Sequence, residues 1–373
     1  MKRKMILLLA ALFLLQGCVG VAPETSEKKG ASTSSGAGNV NVYVSANGDL
    51  LYIDATLSEG AFGTTGKPES FEIRKKRDLI SEIIEDENGR VYCSITTSNG
   101  VDFGEKVYVV KENNIEEVVN VGKQFGASTL LKSADDIYVQ GAVVPADSSS
   151  PGVPFVKVDT GDLSSEHAFD VKGVVTADET YKNDIYMFVN DAEKVGYEGF
   201  NECYLAKYDY ENKKLEIIND DVKAVNPRSM AISEDGKIYV VDTPMFTDEE
   251  KSSYLYEYDT NGEFIGVCEL DNWADRIILA DDDTAYISHR GMNELYDDAG
   301  TTVSVFDLKS KKCTKKIDVG QGPSDLRLLD DTLFVATYTD GTVEAYDTKS
   351  YKCMGKIKLD DIYRIDQIIV TKH

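Results

Sequence analysis

The sequence contains few of the residues from which metal sites and common hydrolase sites are built. Its 373 residues include three histidines, and none of them belongs to a Cys-x-x-Cys or Cys/His cluster of the kind that holds zinc. It also has no Gly-x-Ser-x-Gly, no His-Glu-x-x-His and no phosphate-binding loop. No motif therefore indicates a particular catalytic chemistry.

Cysteine is also scarce, and its pattern excludes a disulfide scaffold. Besides Cys18 in the N-terminal segment, the sequence has Cys93, Cys203, Cys268, Cys313 and Cys353. An odd number of cysteines at irregular spacings does not describe a set of paired bridges. We expect all five to be reduced, half-buried strand residues.

Positive charge is in short supply. The sequence has 40 Lys and Arg against 65 Asp and Glu, which gives a formal net charge of −25. Nucleic-acid binding depends on Lys and Arg that neutralise phosphates, so this composition disfavours it. It also disfavours peripheral docking on anionic lipid. We expect a soluble, monomeric domain with no nucleic-acid partner.

The first residues have the pattern of a signal peptide. Lys2, Arg3 and Lys4 precede an apolar run at 5–15 that is too short to span a bilayer as a helix. The run ends at Leu15-Gln16-Gly17-Cys18, which resembles a bacterial lipobox. The resemblance implies that residues 1–17 are removed and that lipid, such as palmitate, on Cys18 anchors the protein to the membrane at the extracytoplasmic side of the cell envelope. The alternative is an ordinary secretory signal with a chance cysteine.

Residues 18–39 follow as a tether, rich in Gly and Ser, that we predict to be flexible. The remaining residues, 40–373, form one folded domain in this interpretation. The domain is built from a repeat in which a turn pair of Asn, Asp or Gly precedes a buried-looking aromatic residue. The seven aromatic residues lie 40 to 53 positions apart and are Tyr52, Tyr92, Tyr138, Tyr186, Tyr239, Tyr286 and Phe334.

Seven copies of a unit of this length predict an all-β fold. The clearest unit, 323–358, has the turns for four short antiparallel strands, and units of this size are the blades of β-propellers. A single blade cannot bury both of its faces, so the recurring aromatic residue is expected between neighbouring blades. The third strand of several units ends in Asp, at 159, 209, 259, 307 and 347, and we expect each carboxylate to accept N–H groups of the turn that follows.

The sequence leaves two solutions for closing the ring. The stretch at 364–371 has the pattern of an innermost strand, but no further strands follow it. The first repeat, in turn, has no room for a fourth strand between Ile73 and Ile80. We favour a composite first blade, in which the C-terminal strand closes the ring as the inner strand of the first unit. The alternative is that residues 42–52 are themselves the first and second strands of a blade.

Two repeats resemble a known propeller family. Met230-Ala-Ile-Ser-Glu-Asp-Gly-Lys-Ile-Tyr-Val-Val-Asp242 is similar to the core of YVTN-type β-propellers, and Gly320-Gln-Gly-Pro323 resembles the Gly-x-x-Pro that precedes that core. The resemblance covers about 40–373 and implies a seven-bladed propeller. The family includes surface and periplasmic proteins with binding roles and borders on propeller lactonases and quinone-dependent dehydrogenases, so an activity would be carried over by analogy alone. The single tryptophan argues against the propellers that dock a quinone on tryptophans.

The long connections between second and third strands are where function is expected, because they vary while the turns at the other end are short and repetitive. Apart from 98–105, they lie at 145–154, 190–202, 243–253 and 289–301, and they carry Tyr197, Phe200, Phe246, His289, Arg290, Met292 and Tyr296. Arg228, Trp273, Arg276 and Arg364 precede or begin inner strands and are predicted to surround the mouth of the central channel.

These residues support two interpretations. The arginines can form a site for an anion or carboxylate, or each can pair with a nearby carboxylate, such as Asp275, Asp325 or Asp366, in bridges between blades. His289 is the candidate general base, although a lone histidine at a strand end is more commonly a hydrogen-bonded loop residue. The acidic stretch 294–298 offers oxygens for Ca²⁺ but lacks the ligand spacing of a calcium loop, so we expect no cofactor.

The sequence therefore supports a lipid-anchored propeller that binds a small molecule or a partner protein without catalysis, through Arg228, Trp273, Arg276, His289, Arg290 and Arg364. The alternative is a propeller enzyme of the lactonase or lyase type that acts through His289 on the same face. A structural surface protein without a small-molecule site is a third possibility.

Overall fold

The computed structural model describes residues 38–123, 125–141, 152–191, 202–243, 252–291, 299–362 and 364–373. Within these ranges thirty strands form seven antiparallel sheets. The predicted seven-bladed propeller of four-stranded blades is confirmed. No helix in the described ranges has the length and apolarity needed to cross a membrane.

Blades 2 to 7 each follow the chain from the channel outward. Blade 2 contains β5 (Leu79–Glu85), β6 (Val91–Ser98), β8 (Lys106–Lys111) and β9 (Asn114–Asn120), with β7 (Asp102–Phe103) paired to β6. Blade 3 contains β10 (Ala127–Ser133), β11 (Asp136–Gly141), β12 (Val153–Asp159) and β13 (Ser165–Val171). Blade 4 contains β14 (Gly173–Tyr181), β15 (Asp184–Asp191), β16 (Cys203–Asp209) and β17 (Lys214–Asn219).

The remaining sequential blades have the same order. Blade 5 contains β18 (Pro227–Ile232), β19 (Lys237–Asp242), β20 (Ser253–Asp259) and β21 (Phe264–Leu270). Blade 6 contains β22 (Ala274–Leu279), β23 (Thr284–Gly291), β24 (Ala299–Asp307) and β25 (Lys312–Asp318). Blade 7 contains β26 (Pro323–Leu329), β27 (Thr332–Thr337), β28 (Thr342–Asp347) and β29 (Cys353–Lys358).

Blade 1 is composite, as predicted. Its inner strand is the C-terminal β30 (Ile365–Lys372), followed outward by β1 (Gly38–Ala46), β2 (Asp49–Ser58) and the short β3 (Ala61–Gly63), with β4 (Glu69–Ser70) also paired to β2. A 3-10 turn at Arg74–Lys76, rather than a strand, fills the segment before Ile80. The alternative in which residues 42–52 supply first and second strands is wrong, because β1 and β2 are the second and third strands.

The recurring aromatic residue packs between blades. Tyr92, Tyr138, Tyr186, Tyr239, Tyr286 and Phe334 all lie on second strands and are at most 4% exposed. In the composite blade 1 the recurring aromatic residue is Tyr43, on the second strand β1, and not the predicted Tyr52. Tyr52 lies on the third strand. Seven hydrophobic clusters of described residues, one at each blade interface, contain these rings. The ring is thus held together by burial of apolar surface between blades.

Side chains of the inner strands also tie neighbouring blades together. The Gln367 side chain accepts the Ile83 N–H at 2.9 Å, and the Glu82 carboxylate accepts the Leu130 N–H at 2.8 Å. The same link is made by Ser229 with Ile277 at 3.3 Å and by Asp325 with Ile368 at 2.9 Å. These polar side chains of the channel wall therefore stabilise the contacts between neighbouring blades.

The predicted turn aspartates are confirmed. The Asp347 carboxylate accepts the Ser350 N–H at 2.6 Å, and the Asp307 carboxylate accepts the Ser310 N–H at 2.6 Å. Asp159, Asp209 and Asp259 make the equivalent bonds. The five cysteines are free, but only Cys268 is half-buried: Cys93 and Cys203 are buried, and Cys313 and Cys353 are exposed. The expectation of five half-buried cysteines was therefore wrong for four of them.

Candidate functional site

Four blades present the same backbone arrangement at the end of the ring that carries the long loops. The N–H of a residue at or just after the end of the second strand donates to the carbonyl of the residue before the inner strand. The four pairs are Thr243–Asn226 at 3.4 Å, Arg290–Trp273 at 3.1 Å, Tyr338–Gly322 at 2.6 Å and Asn47–Arg364 at 3.0 Å. We call these eight residues the rim. The backbone repeats around the rim, whereas the side chains do not.

A buried carboxylate joins two arginines beside the rim. Arg228 Nε and Nη2 donate to Asp275 Oδ1 at 3.2 and 3.0 Å, and Arg290 Nη1 lies 3.8 Å from Asp275 Oδ2. Burial by itself would raise the pKa of Asp275, but Arg228, Arg290 and Arg276 together hold that pKa below its ordinary value. Asp275 is therefore ionised, and it fixes guanidinium groups from blades 5 and 6 next to one another.

Tyr338 continues this network towards blade 1. The Arg290 guanidinium lies 4.4 Å from the centre of the Tyr338 ring, and the Arg364 guanidinium lies 5.6 Å from it. Arg364 also donates to both Asp366 oxygens, at 2.7 and 2.9 Å. Guanidinium groups against an aromatic ring make favourable cation–π contacts. One connected series of contacts therefore runs from Arg228 through Asp275, Arg290 and Tyr338 to Arg364, across blades 5, 6, 7 and 1.

The structure thus combines the two interpretations of the arginines. Arg228 bridges to Asp275 of the next blade, as the structural interpretation requires, but Arg364 pairs with Asp366 of its own strand. The same contacts bring Arg228, Arg290 and Arg364 together on one side of the channel mouth. Side chains of Arg228 and Arg364 are 25% and 40% exposed, so both remain accessible to a ligand.

Arg276 has a different location. It is buried in the inner wall, where its Nε lies 3.4 Å from the Ser324 carbonyl oxygen of blade 7. Its charge also acts on Glu82, which is fully buried across the channel. Burial raises the pKa of Glu82 well above its ordinary value, the charge of Asp178 raises it further, and Arg276 opposes both effects. Arg276 therefore belongs to the polar wall of the channel rather than to the rim.

Trp273 is the unusual member of the rim. It is partly exposed, and its backbone is left-handed, with φ of 59°. The residues at the same point before β26 and β10 are Gly322, with φ of 68°, and Gly126, with φ of 63°. A left-handed backbone is common for glycine and an outlier for a bulky side chain.

Side chains alternate between the two faces of β23, so His289 and its neighbour Arg290 lie on opposite faces of the strand. Its Nε2 lies 2.8 Å from Ser304 Oγ and its Nδ1 lies 3.3 Å from the Asn272 carbonyl oxygen. Both His289 and Ser304 are buried, and they line a groove of about 280 Å³ together with Glu269, Leu270, Asp271, Phe306, Lys311 and Cys313. Burial lowers the pKa of His289 and keeps the imidazole neutral. This geometry is that of a hydrogen-bonded histidine between blades 5 and 6.

Several predicted residues lie outside the described ranges: Cys18, Tyr197, Phe200, Phe246, Met292, Tyr296 and the acidic stretch 294–298. Among the residues that the structure does describe, no group of three or more His, Cys, Asp or Glu side chains is placed to hold a metal ion. The described part of the long-loop face also exposes apolar side chains, with Val101 at 84%, Val225 at 52% and Phe103 at 44%.

Sequence reasoning missed Tyr338. A signal was present, because Tyr338 stands directly after the second strand of blade 7 and Arg290 stands near the end of the second strand of blade 6. Placing the repeats in register would have put an aromatic residue beside an arginine on the same rim.

No protein family model matches the chain, and no curated protein is similar to it in sequence. Solved structures share its architecture. A protein from Lactobacillus plantarum is 14% identical with a TM-score of 0.62, over 90% of this chain and 100% of that chain. Apo AztD from Citrobacter koseri is 11% identical with a TM-score of 0.49, over 90% and 98% of the two chains. At these identities the likeness concerns the fold alone.

Proposed function

We propose that this chain is a binding protein anchored to the membrane on the extracytoplasmic side of a bacterial cell envelope, and that it binds a small molecule or a partner protein at its long-loop face without catalysing a reaction. The observation that carries the proposal is the connected series from Arg228 to Arg364 on the rim. Arginine and aromatic residues are enriched at the centres of binding interfaces.

The position of the chain ends supports an anchored orientation. Gly38 pairs with Leu57 next to the short turn that joins β2 to β3, and the His373 N–H donates to the Asn39 carbonyl at 3.2 Å. Both ends of the described chain therefore lie on the face of tight turns, opposite the rim. A lipid on Cys18, joined through the tether, would hold the tight-turn face towards the membrane and leave the rim accessible.

The anchor is tested by replacing the cysteine of the lipobox-like segment. We expect Cys18→Ala to move the protein from the membrane fraction to the soluble extracytoplasmic fraction and to abolish incorporation of a labelled palmitate analogue. Cys313→Ala, which removes an exposed thiol of the folded domain, is the control and should leave both properties unchanged. Continued labelling of Cys18→Ala would contradict the assignment.

The binding role is tested by thermal shift of the purified protein against carboxylates, sugars, metal ions, lactones and envelope peptides. A compound that binds the rim should raise Tm, since a ligand bound only to the folded state stabilises it. Arg364→Gln should abolish that shift, whereas Lys349→Gln removes an exposed cation from the tight-turn face and should not. A set of hits that Arg364→Gln leaves intact would place binding elsewhere.

The described residues give no observation that favours the lactonase or lyase alternative. The side chain proposed as its base, His289, makes hydrogen bonds at both ring nitrogens and is buried. Turnover of a lactone that is lost in His289→Gln and kept in Arg364→Gln would reverse this choice.

A further inference from the structure

Trp273 adopts a backbone conformation that glycine adopts at the same point before the inner strands of blades 3 and 7. Its carbonyl accepts the Arg290 N–H, as the Gly322 carbonyl accepts the Tyr338 N–H one blade later. The two residues have φ of 59° and 68°. Because a left-handed backbone brings the Cβ of an L-residue close to its own carbonyl, a glycine at 273 would satisfy the same turn without strain.

Among the residues that the structure describes, the hydrophobic cluster at this blade interface does not include Trp273. The next residue, Ala274, is buried and belongs to the hydrophobic cluster between blades 5 and 6, together with Leu270 four positions earlier. Neither the buried members of that cluster nor the partly buried residues packed against it include Trp273. The indole is instead partly exposed on the rim, on the residue whose carbonyl is bonded to Arg290. Strained residues that persist without a packing role are concentrated at binding sites.

We infer that Trp273 is a contact residue for the ligand and that the ligand carries a carboxylate beside an aromatic group. This inference rests on the proposed function and narrows it. Arg228 and Arg364 provide partly exposed guanidinium groups, whose planar donors match a carboxylate. Trp273 supplies the large apolar surface that a ring needs, and tryptophan is enriched among residues that dominate binding energy.

The experiment compares matched probes on the purified protein. N-acetylphenylalanine presents the free carboxylate and the ring, N-acetylphenylalaninamide removes only the charge, and acetate removes only the ring. A decapeptide that ends in phenylalanine, with a free or amidated C-terminus, distinguishes a peptide source from a small molecule. Trp273 is the sole tryptophan of the chain, so the intrinsic tryptophan emission reports this position alone.

We expect the free carboxylates to bind and to change the Trp273 emission, and the amides and acetate to bind at least about tenfold more weakly, which is the effect of losing about 1.4 kcal/mol. Calorimetric titration then follows two variants. Trp273→Gly should lose binding at least about tenfold, while its Tm stays within roughly 2 °C of the parent because the strain is relieved. Trp273→Phe, which keeps the strain and a ring, should retain measurable binding.

The outcomes separate this inference from the proposed function. A Trp273→Gly variant that binds the probes as the parent does, or that loses more than about 5 °C in Tm as a core tryptophan would, overturns the inference alone. Absence of binding by both free carboxylates overturns the ligand class, while the proposed function keeps its own test through Arg364→Gln and the wider panel. Binding by the peptide but not by N-acetylphenylalanine supports a protein partner that presents its C-terminus.

Discussion

The two ends of the propeller use repetition in opposite ways. On the tight-turn face, five blades close the turn after the third strand with the same aspartate, and its carboxylate accepts the N–H groups of the same turn. On the rim, four blades keep the same backbone bond but place Asn226, Trp273, Gly322 and Arg364 at one position. Side chains that the fold requires are therefore repeated from blade to blade. At positions where the fold requires only the backbone bond, the side chains differ. This difference separates residues that stabilise the ring from those available for binding.

The largest expected effect tests the difference between the repeated aromatic residues buried between blades and the exposed side chains of the long-loop face. Phe334 is fully buried at the interface of blades 7 and 1, whereas Phe103 on the long-loop face is 44% exposed. We expect Phe334→Ala to lower the free energy of unfolding by about 3–5 kcal/mol because it leaves a cavity. The same substitution at Phe103 should cost about 0.5 kcal/mol or less. Denaturant melts of the two variants make the measurement, and equal losses would contradict the assignment.

Asp275 is expected to have the next largest effect, because its buried carboxylate joins Arg228 to Arg290. Asp275→Asn should cost about 1.5–3 kcal/mol through the loss of hydrogen bonds to charged groups. The pKa of Asp275 is lowered in the folded state, so its stabilisation is present above the ordinary carboxyl pKa and is lost as pH falls through the lowered value. Thermal melts across acidic pH should show a smaller loss in the variant than in the parent.

Glu82 should give the opposite dependence on pH. Its pKa is raised in the folded state, so the stabilisation is present below the ordinary value of 4.5 and is lost as pH rises through the raised value. Within that window the parent should lose about 1.4 kcal/mol for each pH unit. Glu82→Gln should flatten this slope in melts at increasing pH. The charges of Asp178 and Arg276 also act on the Glu82 carboxyl group. Their variants should therefore move the pH range over which stability falls, without abolishing the fall.

The smallest expected effect belongs to a single repeated turn. Asp347→Ala should cost about 1 kcal/mol, since it removes an acceptor from the turn before β29. Asp347→Asn keeps an acceptor oxygen and should cost less. Neither variant should change binding of a rim ligand, whereas Arg364→Gln should weaken binding and leave Tm nearly unchanged. A loss of binding in Asp347→Ala would remove the distinction between the two faces.

The ring of blades could be predicted from the sequence because the same packing requirement recurs at each blade interface. Every blade must bury a second-strand side chain against its neighbour, so the aromatic residues and turns recur at blade length. The exception is instructive: the Asn47-Gly48 hairpin and Tyr52 look the same locally whether they form the first or the second turn of a blade. Only the pairing of β1 with β30, more than three hundred residues away, assigns Tyr43 to the repeated place.

The candidate site was predictable only in part. Arg228, Trp273, Arg290 and Arg364 stand out because they interrupt the repeat. Their joining through Asp275 and Tyr338 depends on contacts between blades, which no local pattern encodes. Arg276 differs from Arg228 for a geometric reason: Arg228 is the second residue of its inner strand and reaches the mouth, whereas Arg276 is the third residue of the next inner strand and lies buried in the wall.

The pairing of the N-terminal and C-terminal strands in blade 1 also determines how the ring would respond to mechanical force. The chain enters the domain at Gly38, and β1 is flanked on both sides, by nine residue pairs with β2 and seven with β30. A pull on the chain ahead of Gly38 is directed along β1, so it shears both ladders at once instead of peeling an edge strand bond by bond. The ring would therefore resist tension applied through the chain ahead of Gly38.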